Sequence, residues 1–198
     1  LLTSQDGWAL RGEQLYATHT GGESWREITP PNLGQRSLSA VHFLDAQRGW
    51  ALLAGAGETE GPSYALAVTG DGGVTWRVTS LPLLTSGDLD ANMAEAHLFF
   101  IDPSAGWLVL RRATGANFDV GDLFRTMDGG ETWTRLSIPI GDAVYFATRD
   151  DGWVAGGAAG DELYRTRDGG VTWERQDVPG EEISGRRAYG LPRFEGGQ

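Results

Sequence analysis

The chain of 198 residues contains no cysteine and no lysine. Without cysteine there is no disulfide framework, no thiolate zinc site and no cysteine nucleophile. All sixteen cationic side chains are arginine, which excludes a side-chain Schiff base and the phosphate-gripping lysine of a P-loop. Long apolar runs are missing too. None approaches the ~20 residues of a membrane-crossing helix, so the chain is not expected to span a membrane itself. Positive charge is scarce: sixteen cations face 27 carboxylates, a formal net charge of −11. A face able to neutralise phosphates is therefore not expected, and nucleic acid is not an expected partner. No stretch keeps a helical period for a useful length. What the chain has in quantity is glycine, 30 residues, and tryptophan, eight, and neither is scattered.

Four segments share one box: Thr18-His-Thr-Gly-Gly-Glu-Ser-Trp25, Thr69-Gly-Asp-Gly-Gly-Val-Thr-Trp76, Thr126-Met-Asp-Gly-Gly-Glu-Thr-Trp133 and Thr166-Arg-Asp-Gly-Gly-Val-Thr-Trp173. A Gly-Trp pair precedes each, at Gly7-Trp8, Gly49-Trp50, Gly106-Trp107 and Gly152-Trp153. The two motifs together use all eight tryptophans. An apolar landmark sits six residues before each Gly-Trp: Leu1, Phe43, Phe100 and Phe146. Repeats therefore run over about 1–42, 43–99, 100–145 and 146–193, and residues 194–198, opening on Phe194, start a further repeat or form a closing strand. An array of this kind reads as part of a larger propeller, with a closed ring of four as the alternative.

Local signals give each repeat four strands. Val41-His-Phe43, Leu98-Phe-Phe-Ile101 and Ala143-Val-Tyr-Phe146 are short apolar runs suited to a strand buried on both faces. Second strands start at Trp50, Trp107 and Trp153. Third strands cover Tyr64–Thr69, Leu123–Thr126 and Leu163–Thr166, and fourth strands start at the box tryptophan. Asp-Gly-Gly between the last two is a hairpin signal, because glycine accepts the positive φ such turns demand. Four strands per repeat without helix predict an all-β chain of four consecutive β-propeller blades. The first blade should lack most of its innermost strand unless the segment near Tyr189–Phe194 supplies it.

The box resembles the Asp-box, or BNR repeat, of sialidases, sortilin-type receptors and many bacterial propellers. With its coupled Gly-Trp, nearly the whole chain is similar to the photosystem II assembly and stability factors and their bacterial relatives. That resemblance implies a non-catalytic scaffold in an extracytoplasmic compartment (periplasm, lumen or cell surface), binding a protein partner during membrane-complex assembly or as part of a surface protein. The sialidase resemblance would instead imply a glycosidase with an arginine triad, a Tyr–Glu pair and a Tyr/Phe-Arg-Ile-Pro motif. The nearest string here, Leu191-Pro-Arg-Phe194, does not match. A glucan-cleaving propeller would need two carboxylates flanking a cleft, and no pair stands out by spacing.

The repeated residues read as structural. Asp71, Asp128 and Asp168 precede Gly-Gly, where a carboxylate can accept turn amides. Thr20 replaces them in the first box, as a weaker acceptor. Trp25, Trp76, Trp133 and Trp173, like the Gly-Trp rings, are expected to pack between adjacent blades, and a sugar-stacking platform is the alternative. His19, His42 and His97 do not share a spacing that suggests a metal, and no cofactor motif is present. The sequence thus nominates no catalytic, cofactor or metal residue.

Length variation nominates a face. The landmark-to-Gly-Trp spacing and the box are constant. The interval from Gly-Trp to box is 11, 20, 20 and 14 residues, and the link from box Trp to the next landmark is 18, 24, 13 and 21. In a four-stranded meander these two connections share one end, and variable loops on a rigid scaffold are where binding resides. The extended loops Gly55–Ser63, Ser80–Glu95, Arg111–Asp122 and Val178–Ala188 carry the candidate contacts Glu58, Glu60, Asp88, Asp90, Arg111, Arg112, Asn117, Phe118, Asp119, Arg186 and Arg187.

Overall fold

The computed structural model describes residues 2–31, 33–56, 62–81, 93–112, 120–178 and 189–192. They form four antiparallel sheets. Blade one has β1 (Gly7–Arg11), β2 (Gln14–Thr18) and β3 (Arg26–Glu27). Blade two has β4 (Arg36–Phe43), β5 (Gly49–Ala56), β6 (Pro62–Thr69) and β7 (Arg77–Leu81). Blade three has β8 (Met93–Phe100), β9 (Gly106–Arg112), β10 (Val120–Thr126) and β11 (Thr134–Leu136). Blade four has β12 (Val144–Phe146), β13 (Gly152–Gly156), β14 (Glu162–Thr166) and β15 (Glu174–Arg175). Each is a simple meander in chain order. β4 lies beside β8 and β8 beside β12, so the first strands are innermost and the blades follow one another around an arc. The chain is a run of β-propeller blades.

Among the described residues blade one has three strands, not four. The described part of the segment expected to complete it goes elsewhere: the Tyr189 amide donates to the Gly160 carbonyl of blade four (2.8 Å). Fourth strands start one residue after the box tryptophan, at Arg77, Thr134 and Glu174, because the indole still belongs to the turn. The extended loops are also shorter than the composition suggests. Gly55, Ser63, Ser80, Glu95, Arg111 and Asp122 all lie within strands. Antiparallel pairing continues through these polar ends, and Glu95 stands opposite Arg111 in the register, a cross-strand pair of opposite charge that favours the ladder.

Three of the four buried clusters are seams between blades; the fourth, around Ala51, Leu53, Ala65 and Ala67, lies within blade two. One seam joins Trp50, Leu52, Tyr64 and Leu66 of blade two to Leu98, Phe100, Leu108 and Leu110 of blade three. The next joins Trp107, Val109 and Leu123 to Val144, Phe146 and Val154. Leu15, Ala17 and Ile28 meet Phe43 across the first. Strand alternation sorts the residues: on β5 and β6 one face presents Leu52 and Leu66 to blade three, while Ala51, Leu53, Ala65 and Ala67 form the opposite face.

The Gly-Trp motif is the hinge of this packing. A Cβ at Gly49 would stand 2.5 Å from a ring carbon of Phe43, one at Gly106 the same distance from Phe100, and Phe146 covers Gly152 in the same way. The landmark ring folds back over the glycine six residues on, which explains the fixed spacing. The following tryptophan points to the next blade. Trp50 stacks on Phe100 at 3.9 Å and 6°, and Trp107 on Phe146 at 3.6 Å and 6°. Trp50 and Trp107 are 2% and 0% exposed. Box tryptophans meet the same phenylalanines edge-on, Trp133 with Phe100 and Trp173 with Phe146. Trp25 departs from the expected burial between blades: it is 45% exposed. Its counterparts meet the landmark ring of a first strand, an element that the described part of blade one does not contain.

Candidate functional site

The two ends of the arc differ in kind. At the box end, four turns repeat one set of hydrogen bonds. The hydroxyl of the first box threonine accepts the amide of the second glycine: Thr18 from Gly22 (3.0 Å), and Thr69, Thr126 and Thr166 from Gly73, Gly130 and Gly170 (2.9 Å each). The box aspartate accepts the amide four residues on, Asp71 from Thr75 and Asp168 from Thr172 at 2.8 Å, Asp128 from Thr132 at 2.9 Å. It also accepts the hydroxyls of those same threonines and of the first box threonine. These bonds hold the three carboxyls at about 2, well below the ordinary range, with the later threonine's hydroxyl contributing most. Thr20 does the same work without charge, accepting the Ser24 amide at 2.9 Å.

Each box is tied to the other turn of its blade. The first glycine's amide donates to a carbonyl of the strand-one-to-two turn: Gly21 to Gln5, Gly72 to Gln47 and Gly129 to Ser104 at 2.8 Å, Gly169 to Asp150 at 2.9 Å. That turn has a cap the sequence reading passed over. Two residues after each landmark stands Thr3, Asp45, Asp102 or Thr148, whose side chain accepts two amides further along the turn. A Thr or Asp at that place in all four repeats was the available signal. Burial works against the charge of Asp102, yet bonds from Arg149, Ser104 and Ala105 outweigh it and hold its carboxyl well below the carboxylate range. Arg149 reaches Asp102 from blade four (2.9 Å), so this bond also stitches a seam.

The loop end carries the candidate contacts. Glu58, Glu60, Asp88, Asp90, Asn117, Phe118, Asp119, Arg186 and Arg187 lie outside the described residues, and Arg112 is described only as backbone of β9 opposite Met93 and Val120. Arg111 is placed in full. Its side chain is 28% exposed and held within the protein, 3.3 Å from Glu95 and 3.9 Å from Asp142. Asp142 in turn accepts the Gly157 amide at 3.0 Å, so the cluster spans blades three and four. Asp142 belongs to the shortest link, where length variation gives no signal. Deeper, the Asp122 carboxylate, 6% exposed, receives Nε and Nη2 of Arg135 at 3.1 and 2.5 Å. Burial, with the charge of Asp122, raises the Tyr64 phenol across the seam.

On the innermost strands His42, Phe99 and Tyr145 hold equivalent positions, with ring centres 5.4 and 5.7 Å apart in succession. Burial lowers the His42 imidazole, against a bond to the Phe100 backbone. Among the described residues no three His, Asp or Glu side chains are grouped to hold a metal ion, and no helix is long and apolar enough to cross a membrane.

No family model and no curated protein matches the chain. Solved structures do. YCF48 bound to D1 peptide superposes with a TM-score of 0.54 at 19% identity over 91% of this chain and 52% of that one. The GH74 enzyme of Niastella koreensis gives 0.30 at 13% identity, covering 85% of this chain and 38% of that one. YCF48 from Cyanidioschyzon merolae gives 0.25 at 14%, covering 86% and 80%. The chain thus spans about half the length of the first, with which it shares its fold.

Proposed function

We propose that this chain is a non-catalytic propeller scaffold that binds a protein partner through its loop end, in an extracytoplasmic compartment. Its place there would be in assembling a membrane complex or within a surface protein. One observation carries the reading. All four box ends are closed by the same internal hydrogen bonds, while every change of length between repeats falls at the other end. A rigid frame with one variable rim is the build of a recognition protein. The shared fold with YCF48, solved bound to D1 peptide, supports the same reading, as do the Asp-box motifs and their resemblance to assembly-factor propellers.

The paired state of Arg111 shifts the expected contacts toward Arg112 and the loops beyond the strand ends. The experiment is a pull-down from membrane and periplasmic fractions, comparing the chain with Arg112→Ala and with a variant shortened between Ala56 and Pro62. Loss of a captured protein with either variant supports the loop end. Equal recovery by all three removes this face, and turnover of a sialoside or β-glucan by the unmodified protein would replace the scaffold with a glycosidase.

A further inference from the structure

The last strand of a blade turns one row of backbone groups away from its sheet, and such an edge can template another chain. Three blades guard theirs. β3, β11 and β15 are two, three and two residues long, and two residues after the box tryptophan they carry Glu27, Arg135 and Arg175. Short edge strands and charged side chains are the usual protections against strand addition. Blade two has neither. β7 runs for five residues, of which Arg77 to Ser80 are exposed. The place of the charged residue is taken by Val78, 42% exposed. Its ladder with β6 runs without a bulge, and among the described residues β7 pairs with no other strand.

The register tells which groups face outward. Ile28 and Gln176, three residues after the box tryptophan, donate their amides to the Leu15 and Leu163 carbonyls of the neighbouring strand (2.8 Å each). Thr79 holds that place in blade two and stands opposite Leu66, so its backbone groups point into the ladder. Antiparallel pairing alternates residue by residue, and the N–H and C=O of Val78 and Ser80 therefore point away from the blade. Arg77, at the start of the strand, is bridged to Glu131 of blade three (3.2 Å). The centre of the edge is thus uncharged.

We propose that β7 is a strand-addition site, which takes an extended, basic segment of a partner protein as a fifth strand of blade two. Main-chain hydrogen bonds to Val78 and Ser80 set the register, and a β-branched residue beside Val78 makes the cross-strand apolar contact. The net charge of −11 favours a basic segment over an acidic one. The same charge sets two copies of this chain against each other. An edge about 17 Å long is also too small by itself for the ~1,200 Å² of a stable dimer interface. The site uses neither Arg112 nor the residues between Ala56 and Pro62, so it goes beyond the loop-end reading and stands independently of it.

A fluorescein-labelled Lys-Thr-Val-Thr-Val-Thr-Lys peptide, titrated with the unmodified protein and followed by anisotropy, tests the site. Saturable binding is expected. Val78→Pro and Ser80→Pro should each weaken it at least ~10-fold, because each removes an outward N–H and leaves the ladder with β6 intact. Ser80→Ala should bind as the unmodified protein does, and circular dichroism checks that the blades remain folded. Amide exchange followed by NMR gives a reading without substitution: the peptide should slow exchange at Val78 and Ser80 and leave Thr79, already bonded, unchanged. No binding, equal binding by the proline variants, equal binding of the analogue with Glu at both ends, or slowing confined to other amides each overturns the proposal. Slowing at Val78 and Ser80 that rises with protein concentration alone gives the edge to a second copy and overturns it too. Peptide binding is read without any cellular partner, so its failure and that of the pull-down are distinguishable.

Discussion

The indole of Trp107 lies flat on the ring of Phe146 in the next blade, 3.6 Å away and 6° from parallel, while its Nε1 bonds the Gly169 carbonyl at 3.0 Å. One side chain thus joins two blades by stacking and by a directed bond. Trp107→Ala should cost ~3–5 kcal/mol, the range for a fully buried large aromatic. Trp25→Ala should cost less than ~2 kcal/mol, since nearly half of that ring already faces water. Denaturant midpoints of the two variants check the contrast.

Gly106→Ala should destabilise by ~1–3 kcal/mol, because the new methyl overlaps the Phe100 ring. In a Phe100→Leu background the same substitution should cost clearly less. A double-mutant cycle reads the coupling directly, and additivity would mean that the ring is not what holds glycine there.

Asp71, Asp128 and Asp168 should titrate near pH 2, against ~3.9 for an unperturbed aspartate. A folded value below the unfolded one means these carboxylates stabilise the fold above about pH 4. That contribution is lost as pH falls from there toward 2. Carboxyl carbon chemical shifts measured through this window give the three values. Thr20, at the same place in the first box, has no carboxyl to titrate.

Arg77→Ala should change stability by less than ~1 kcal/mol even though Arg77 bridges blades two and three through Glu131. Both side chains are 60% exposed, and water and salt screen such a pair. A loss above ~2 kcal/mol in chemical denaturation would show that the seam leans on this bridge.

The blades are readable in the sequence because tryptophan, glycine pairs and the landmark ring recur at fixed spacing, and each spacing has a local steric or hydrogen-bonding cause. Phe43 over Gly49 is such a cause, and so is the amide of Gly72 on the Gln47 carbonyl. Features set by a neighbouring blade are not readable this way. Trp25 and Trp133 occupy the same place in the same motif, and only what packs beside them makes one exposed and the other half-buried. Strand ends at the loop end were hidden as well. Arg111, Glu95 and Asp122 have the composition of loops, and only cross-strand pairing shows that they extend the ladder.

Seams that refer only to adjacent blades make the arc a linear, nearest-neighbour system. Among the described residues blades two and three are each held from both sides. Heat should therefore open the arc in stages, as it does repeat arrays, with sub-global openings preceding complete unfolding. The amides of β9, in the strand that carries Trp107, would be the last to take up deuterium.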